Sequence, residues 1–113
     1  MDSGLIVAAS SDCPVVPPDP RAGIFAAVSR RTVTGQLVSP EQRLPLEKAL
    51  ALYTISAARS QFSENKTGSI TPGKLADLVI ISNDPARVAT DEIKRLDFLM
   101  TILDGRIVYR KGL

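Results

Sequence analysis

The 113-residue chain contains no histidine, no tryptophan and a single cysteine. Histidine supplies the commonest metal-binding nitrogen and is the usual proton carrier near neutral pH. Without it, zinc fingers, HExxH centres and Ser–His–Asp triads are excluded together. The lone Cys13 has no partner for an intrachain disulfide, which favours an intracellular, cytoplasmic setting. No stretch approaches the roughly 18 apolar residues of a membrane span, and the opening Met1-Asp2-Ser3-Gly4 lacks the positive charge of a secretory leader. Tyr53, Tyr109, Phe25, Phe62 and Phe98 are the only aromatics, so a stacking platform for single-stranded nucleic acid is missing. Nor is there an excess of one charge: 14 Lys and Arg face 12 Asp and Glu, and no basic run exceeds two residues, as at Arg30-Arg31. Nucleic acid is not an expected partner.

What is present is ordinary for a folded chain. Apolar residues make up 44% and charged residues 23%, enough for one small domain or a piece of a larger one. The uninterrupted apolar run Gly4-Leu5-Ile6-Val7-Ala8-Ala9 predicts a fully buried strand of parallel-sheet type. Such a strand needs neighbours on both sides, and the rest of the chain offers few. Pro14, Pro17, Pro18 and Pro20 then enforce a stiff loop. Asp19-Pro20 predicts a helix start, with Asp19 as cap and Ile24, Ala27 and Val28 on one face, fading near Thr32 to Gly35. Leu46, Ala49, Leu50, Tyr53 and Ala57 recur at helical spacing and predict one helix from Leu46 to about Gln61.

The second half begins at Gly68-Ser69-Ile70-Thr71-Pro72-Gly73, a turn entering a strand over about Leu75 to Ser82. Thr90 is placed to cap a short helix over Asp91 to Leu96. Asp104-Gly105 between Phe98–Leu103 and Arg106–Tyr109 predicts a type I′ hairpin. Strand, loop, two helices and a three-stranded unit together read as a cut α/β pattern, α+β in isolation.

Four candidates emerge from the residues. Ser10-Ser11-Asp12 follows the first predicted strand, where loops of parallel sheets and barrels converge and where a carboxylate can ligate a metal or exchange protons with bound water. The plainer reading is an aspartate that makes a turn. Gly68-x4-Gly73-Lys74 nearly matches a phosphate-binding loop. However, Leu75 stands where a Mg²⁺-binding hydroxyl is needed, Pro72 removes an N–H donor, and a strand follows instead of a helix. Cys13 lacks any histidine to activate it and reads as incidental. Asp77 reads as a hydrogen-bonded residue at a sheet rim.

Taken in order, Ser11-Asp12 with Pro14-Val15 and Pro17-Pro18-Asp19-Pro20, then Gly23-Ile24-Phe25-Ala26-Ala27-Val28 with Arg30-Arg31, make up the first half of a longer pattern. Leu46-Glu47-Lys48-Ala49-Leu50 with Tyr53-Thr54 and Ala57-Ala58 continues it, followed by Gly68-Ser69-Ile70 through Asp77-Leu78-Val79, Asp84-Pro85 and Asp104-Gly105-Arg106-Ile107-Val108-Tyr109. Together they resemble the C-terminal part of metal-dependent amidohydrolases, of the branch labelled amidohydrolase family 3, some of whose members are named exoenzyme regulatory proteins. The resemblance implies a (β/α)8 barrel with a small β-sandwich built from both chain ends. Residues 1–67 would be the end of the barrel, with Leu5 to Ala9 as its eighth strand, and 68–113 would be the C-terminal part of the composite β-sandwich. It also implies that Asp12 is the aspartate that ligates a divalent metal such as zinc and serves as general base in hydrolysis of a C–N bond of a small-molecule amide or cyclic amide.

The family's histidine ligands have no counterpart here, since a catalytic zinc takes three protein ligands and this chain offers Asp12. The expectation is therefore a portion of a hydrolase, inactive and without bound metal as an isolated chain. The rival expectation is a stand-alone, non-catalytic module that acts by association. Homo-oligomerisation, or association with the missing barrel portion, would cover strand edges left unpaired.

Overall fold

Asp19 and Pro20 start the first helix as their chemistry dictates. Helix α1 runs over Pro20–Ser29, with Pro20 in the first turn and the Asp19 carboxylate accepting from the Arg21 amide at 3.0 Å. It ends earlier than the apolar pattern suggests. Arg30 takes a left-handed conformation (φ 55°) and donates its amide to the Ala26 carbonyl, closing the helix before Thr32. These assignments come from a computed structural model that describes residues 4–112. Met1 to Ser3 and Leu113 lie outside the described residues.

The helix expected over Leu46 to Gln61 is instead two, α2 (Leu46–Tyr53) and α3 (Ile55–Ser60), broken at Thr54. Thr54 sits at φ −121°, ψ −99°, and its hydroxyl donates to the Leu50 carbonyl at 3.0 Å. That bond gives the carbonyl a side-chain partner in place of a continuing helix amide, a competition open to Thr but not to Ala or Leu. Periodicity ignores it, because apolar spacing continues through the break.

A three-stranded antiparallel sheet follows, in the order β1 (Leu78–Ile81), β2 (Phe98–Leu103), β3 (Arg106–Arg110). The hairpin between β2 and β3 has both Asp104 (φ 47°) and Gly105 (φ 75°) in the left-handed region, as a type I′ turn requires. The expected helix near Asp91 is a 3₁₀ helix over Thr90–Arg95, and Thr90 lies inside it instead of capping it: Ala89 precedes it without a side-chain cap bond.

Ile24 of α1, Ala49 of α2 and Ile93 of the Thr90–Arg95 turn form the core, with Val28, Leu46, Leu50, Tyr53 and Val88 packed against it. Phe25 is buried as well, beside the expected stripe, with the Lys94 ammonium 4.1 Å from its ring centre. This core is small. The radius of gyration, 14.9 Å, exceeds the roughly 13 Å of a compact chain this long, and both sheet faces carry exposed apolar side chains.

The strand predicted over Gly4 to Ala9 does not form. Leu5, Ile6 and Val7 are 75%, 59% and 46% exposed, and the run's one described backbone bond is from the Ala9 amide to the Leu52 carbonyl at 3.2 Å. An apolar run becomes a parallel strand only when flanking strands supply ladder partners, and the described residues supply none.

Gly68 shows how the Gly-Ser-Ile turn joins the halves. It lies at φ 85° against the helix break, where a Cβ would stand 2.7 Å from the Ala58 Cβ and 3.0 Å from the Ile55 Cα. Gly73 has a similar φ of 93° but open space around it. Gly68→Ala is expected to destabilise the chain by roughly 2–4 kcal/mol, backbone strain and overpacking combined, and Gly73→Ala by about 1–2 kcal/mol from strain. Urea unfolding of both variants measures the difference; equal losses would show that the close approach at Gly68 contributes nothing.

Candidate functional site

The segment from Ser10 to Asp19 holds itself by short-range bonds. Ser10 Oγ accepts from the Asp12 amide at 3.3 Å, Ser11 Oγ from the Cys13 amide at 3.2 Å, and the Asp12 carbonyl from the Val15 amide at 2.9 Å. Asp12 takes φ 52°, in the left-handed region where aspartate is among the better tolerated residues. Its side chain is exposed, and its carboxylate accepts no hydrogen bond among the described residues. The loop therefore presents the carboxylate outward instead of consuming it as a cap.

Beside this loop, Ala9, Ser10, Ser11, Pro18, Asp19, Pro20 and Tyr53 line a cavity of about 310 Å³. Asp12 is not among its walls. No group of three or more His, Cys, Asp or Glu comes together among the described residues. One exposed carboxylate does not satisfy the three-ligand requirement of a catalytic metal, so the residues present do not fit a resident metal.

The other candidates resolve structurally. The Lys74 ammonium donates to the Thr67 carbonyl (3.2 Å) and to Ser69 Oγ (2.7 Å), and the Leu75 amide donates to the Lys66 carbonyl (2.9 Å). The near-phosphate loop is thus tied to itself, with its lysine engaged. Asp77 accepts the Asp104 amide at 2.8 Å and so anchors the hairpin at the rim of the sheet. Cys13 is free and exposed.

Sequence reasoning missed Arg21. Its Nε lies 2.9 and 3.0 Å from the two Asp19 oxygens and its Nη2 2.7 Å from Oδ2, a bidentate pair. Nη1 donates to the Leu96 carbonyl, and the guanidinium lies 4.7 Å from the centre of the Phe98 ring. The Arg21 side-chain bond holds the Asp19 carboxyl below its ordinary value of 3.8, against a smaller opposing effect of burial, and the same pair raises Arg21. Asp19 two residues before an arginine was a visible signal for the local pair, but the reach to Leu96 was not.

With that geometry in place, the comparisons are direct. The profile of the amidohydrolase family matches residues 1–109. The chain belongs to that family. It is 33% identical over 111 residues to the N-substituted formamide deformylase of Arthrobacter pascens, a match spanning 98% of this chain and 20% of that protein. With the 5-methylthioadenosine/S-adenosylhomocysteine deaminase of Symbiobacterium thermophilum it shares 41% identity over 70 residues, 54% of this chain and 16% of that protein. The crystal structure of an amidohydrolase from Thermotoga maritima superposes with a TM-score of 0.73 at 27% identity, covering 96% of this chain and 24% of that one. The chain thus spans about a fifth of the length of the curated relatives it matches. No described helix is long and apolar enough to cross a membrane.

A depressed carboxyl stabilises the fold above its ordinary pKa, and that stabilisation is lost as pH falls through the depressed value. Asp19→Asn keeps a competent helix cap but removes the charge pair. Because both side chains are partly exposed (27% and 35%), the expected loss at neutral pH is about 0.5–1 kcal/mol. Urea titrations should show wild type and variant converging once the pH falls well below 3.8; a gap constant with pH would assign the effect to packing.

Proposed function

We propose that this chain is the C-terminal portion of a metal-dependent hydrolase acting on C–N bonds of non-peptide or cyclic amides. In this reading residues 1–67 close the barrel and 68–113 contribute to the composite β-sandwich. The observation that carries it is the family match over residues 1–109; an exposed Asp12 carboxylate without a hydrogen-bond partner among the described residues supports it. Relatives named for deformylation of a formamide and for deamination support C–N chemistry as the reaction class. Asp12 is the residue proposed to give a carboxylate to the divalent metal centre of the complete enzyme and to act as general base there. The remaining ligands would come from outside this chain, so no step is assigned to the chain by itself.

The exposed apolar sheet favours a second reading, a non-catalytic module that associates with partners. The two readings separate in one assay. A polypeptide that joins this chain to the rest of an amidohydrolase should hydrolyse N-substituted formamides or cyclic amides with added Zn²⁺. Asp12→Asn in it should lower kcat by about 10²–10⁴-fold with unchanged circular dichroism. The 113-residue chain with Zn²⁺ should neither turn over nor bind the metal stoichiometrically. Full activity in the Asp12→Asn polypeptide, or turnover by the short chain, would overturn the proposal.

A further inference from the structure

The break between α2 and α3 is closely packed on two sides. Of the chain's seven glycines, Gly23 and Gly68 are the two at which an added Cβ would meet a described atom within 4 Å, and both meet residues 53–58. At Gly23, inside α1, the Cβ would run into the Tyr53 hydroxyl; at Gly68 it would stand 2.7 Å from the Ala58 Cβ and 3.2 Å from the Thr54 carbonyl oxygen. A glycine inside a helix is unfavourable relative to alanine, and here it lets the Tyr53 side chain lie on α1. The break also releases carbonyls. In a continuous helix Leu50, Ala51 and Leu52 would accept from the amides four residues on. Instead the Thr54 hydroxyl donates to Leu50 (3.0 Å), the Thr54 amide to Ala51 (3.2 Å) and the Ala9 amide to Leu52 (3.2 Å). Among the described residues, that last bond is the one hydrogen bond between residues 4–18 and the rest of the chain.

We propose that Thr54 is a positioning residue for the loop that carries Asp12: by ending α2 it takes the Leu52 carbonyl out of the helix ladder and makes it the acceptor that ties down the Ala9 amide. Asp12 lies three residues beyond that tether, and Ser10 and Ser11 Oγ hold the Asp12 and Cys13 amides on the way. Tyr53, next to the tether, walls the cavity that Ala9, Ser10 and Ser11 also line. Gly23 and Gly68 then fix the break against α1 on one side and the turn before the sheet on the other. An unbroken helix would keep the same apolar stripe but offer Ala9 no acceptor, because Leu52 would accept from the Ser56 amide. The apolar pattern is indifferent to the break; the Asp12 loop is not. The purpose of the tether rests on the proposed reading of Asp12 as a metal ligand. The tether itself does not, and it is measured without metal or turnover, so either can fail while the other stands.

Amide hydrogen exchange in the 113-residue chain tests it. Thr54→Val keeps the side-chain shape and removes the hydroxyl, so the Ala9 amide should exchange about two- to tenfold faster, the range one net hydrogen bond is worth. The amide of Ala49, in the core, should keep its rate, and Thr54→Ser, which restores the hydroxyl, should return Ala9 to the wild-type rate. Should Thr54→Val fail to fold, Thr54→Ala, a better helix former that also lacks the hydroxyl, should show the same acceleration at Ala9. A second readout uses the exposed thiol of Cys13, beside Asp12. A nitroxide attached there should be restricted in wild type and mobile in Ala9→Pro, which removes the donor and leaves both helices intact by circular dichroism. Unchanged Ala9 exchange without the Thr54 hydroxyl would overturn the proposal. So would an equal rise at Ala49, which would mark Thr54 as a core residue only, or a label equally mobile in wild type and Ala9→Pro.

Discussion

The guanidinium of Arg21 is the point through which the helical and sheet parts of this chain are held together. One side of it is paired to Asp19 at the start of α1, one nitrogen reaches the Leu96 carbonyl, and its plane lies over Phe98 at the start of β2. Few other contacts do this work, because the apolar core of Ile24, Ala49 and Ile93 joins α1 and α2 to the Thr90–Arg95 turn and not to the sheet faces. A planar fork with five donors satisfies a carboxylate, a carbonyl and a ring at once, which a lysine ammonium would not.

The parts of the fold that were legible in the sequence are those fixed by local chemistry. Asp19-Pro20 marked the start of α1 because a carboxylate can cap the first turn and proline's fixed φ suits it, and Asp104-Gly105 marked the hairpin because its left-handed φ values select those residue types. The misread parts depended on competition or on neighbours. At Thr54 a side-chain hydroxyl competes with the helix ladder while the apolar spacing continues unbroken. At Leu5 to Ala9 the composition is that of a buried strand, but a strand is a relation between segments, and no ladder partner exists among the described residues. Thr90 has capping chemistry, yet the chain turns one residue earlier, at Ala89.

The candidate site was legible in a different sense. Asp12 was singled out by its place after an apolar run, and the loop does leave its carboxylate outward. Ser10 and Ser11 accept the Asp12 and Cys13 amides, and residue 14, whose amide an Asp12 turn would use, is a proline without an N–H. What the residues could not show was a second ligand, because the chain has no histidine and its other carboxylates are committed or distant: Asp19 to Arg21, Asp77 to the hairpin, Asp97 to Lys111 at 2.6 Å.

The exposed apolar surface is not spread evenly, and its distribution separates two physical problems. The N-terminal run exposes a backbone together with its side chains, so it needs ladder partners on both flanks and a cover on both faces; only a multi-stranded structure provides that. The sheet needs less. Its β3 edge is already protected by a bulge and arginines, its hairpin is pinned by Asp77, and its deficit is one uncharged edge and two apolar faces. A single added strand at β1 satisfies the edge, whereas no single strand satisfies residues 5–9. The sheet's deficit is therefore one edge and two faces, while residues 5–9 have no ladder partner among the described residues.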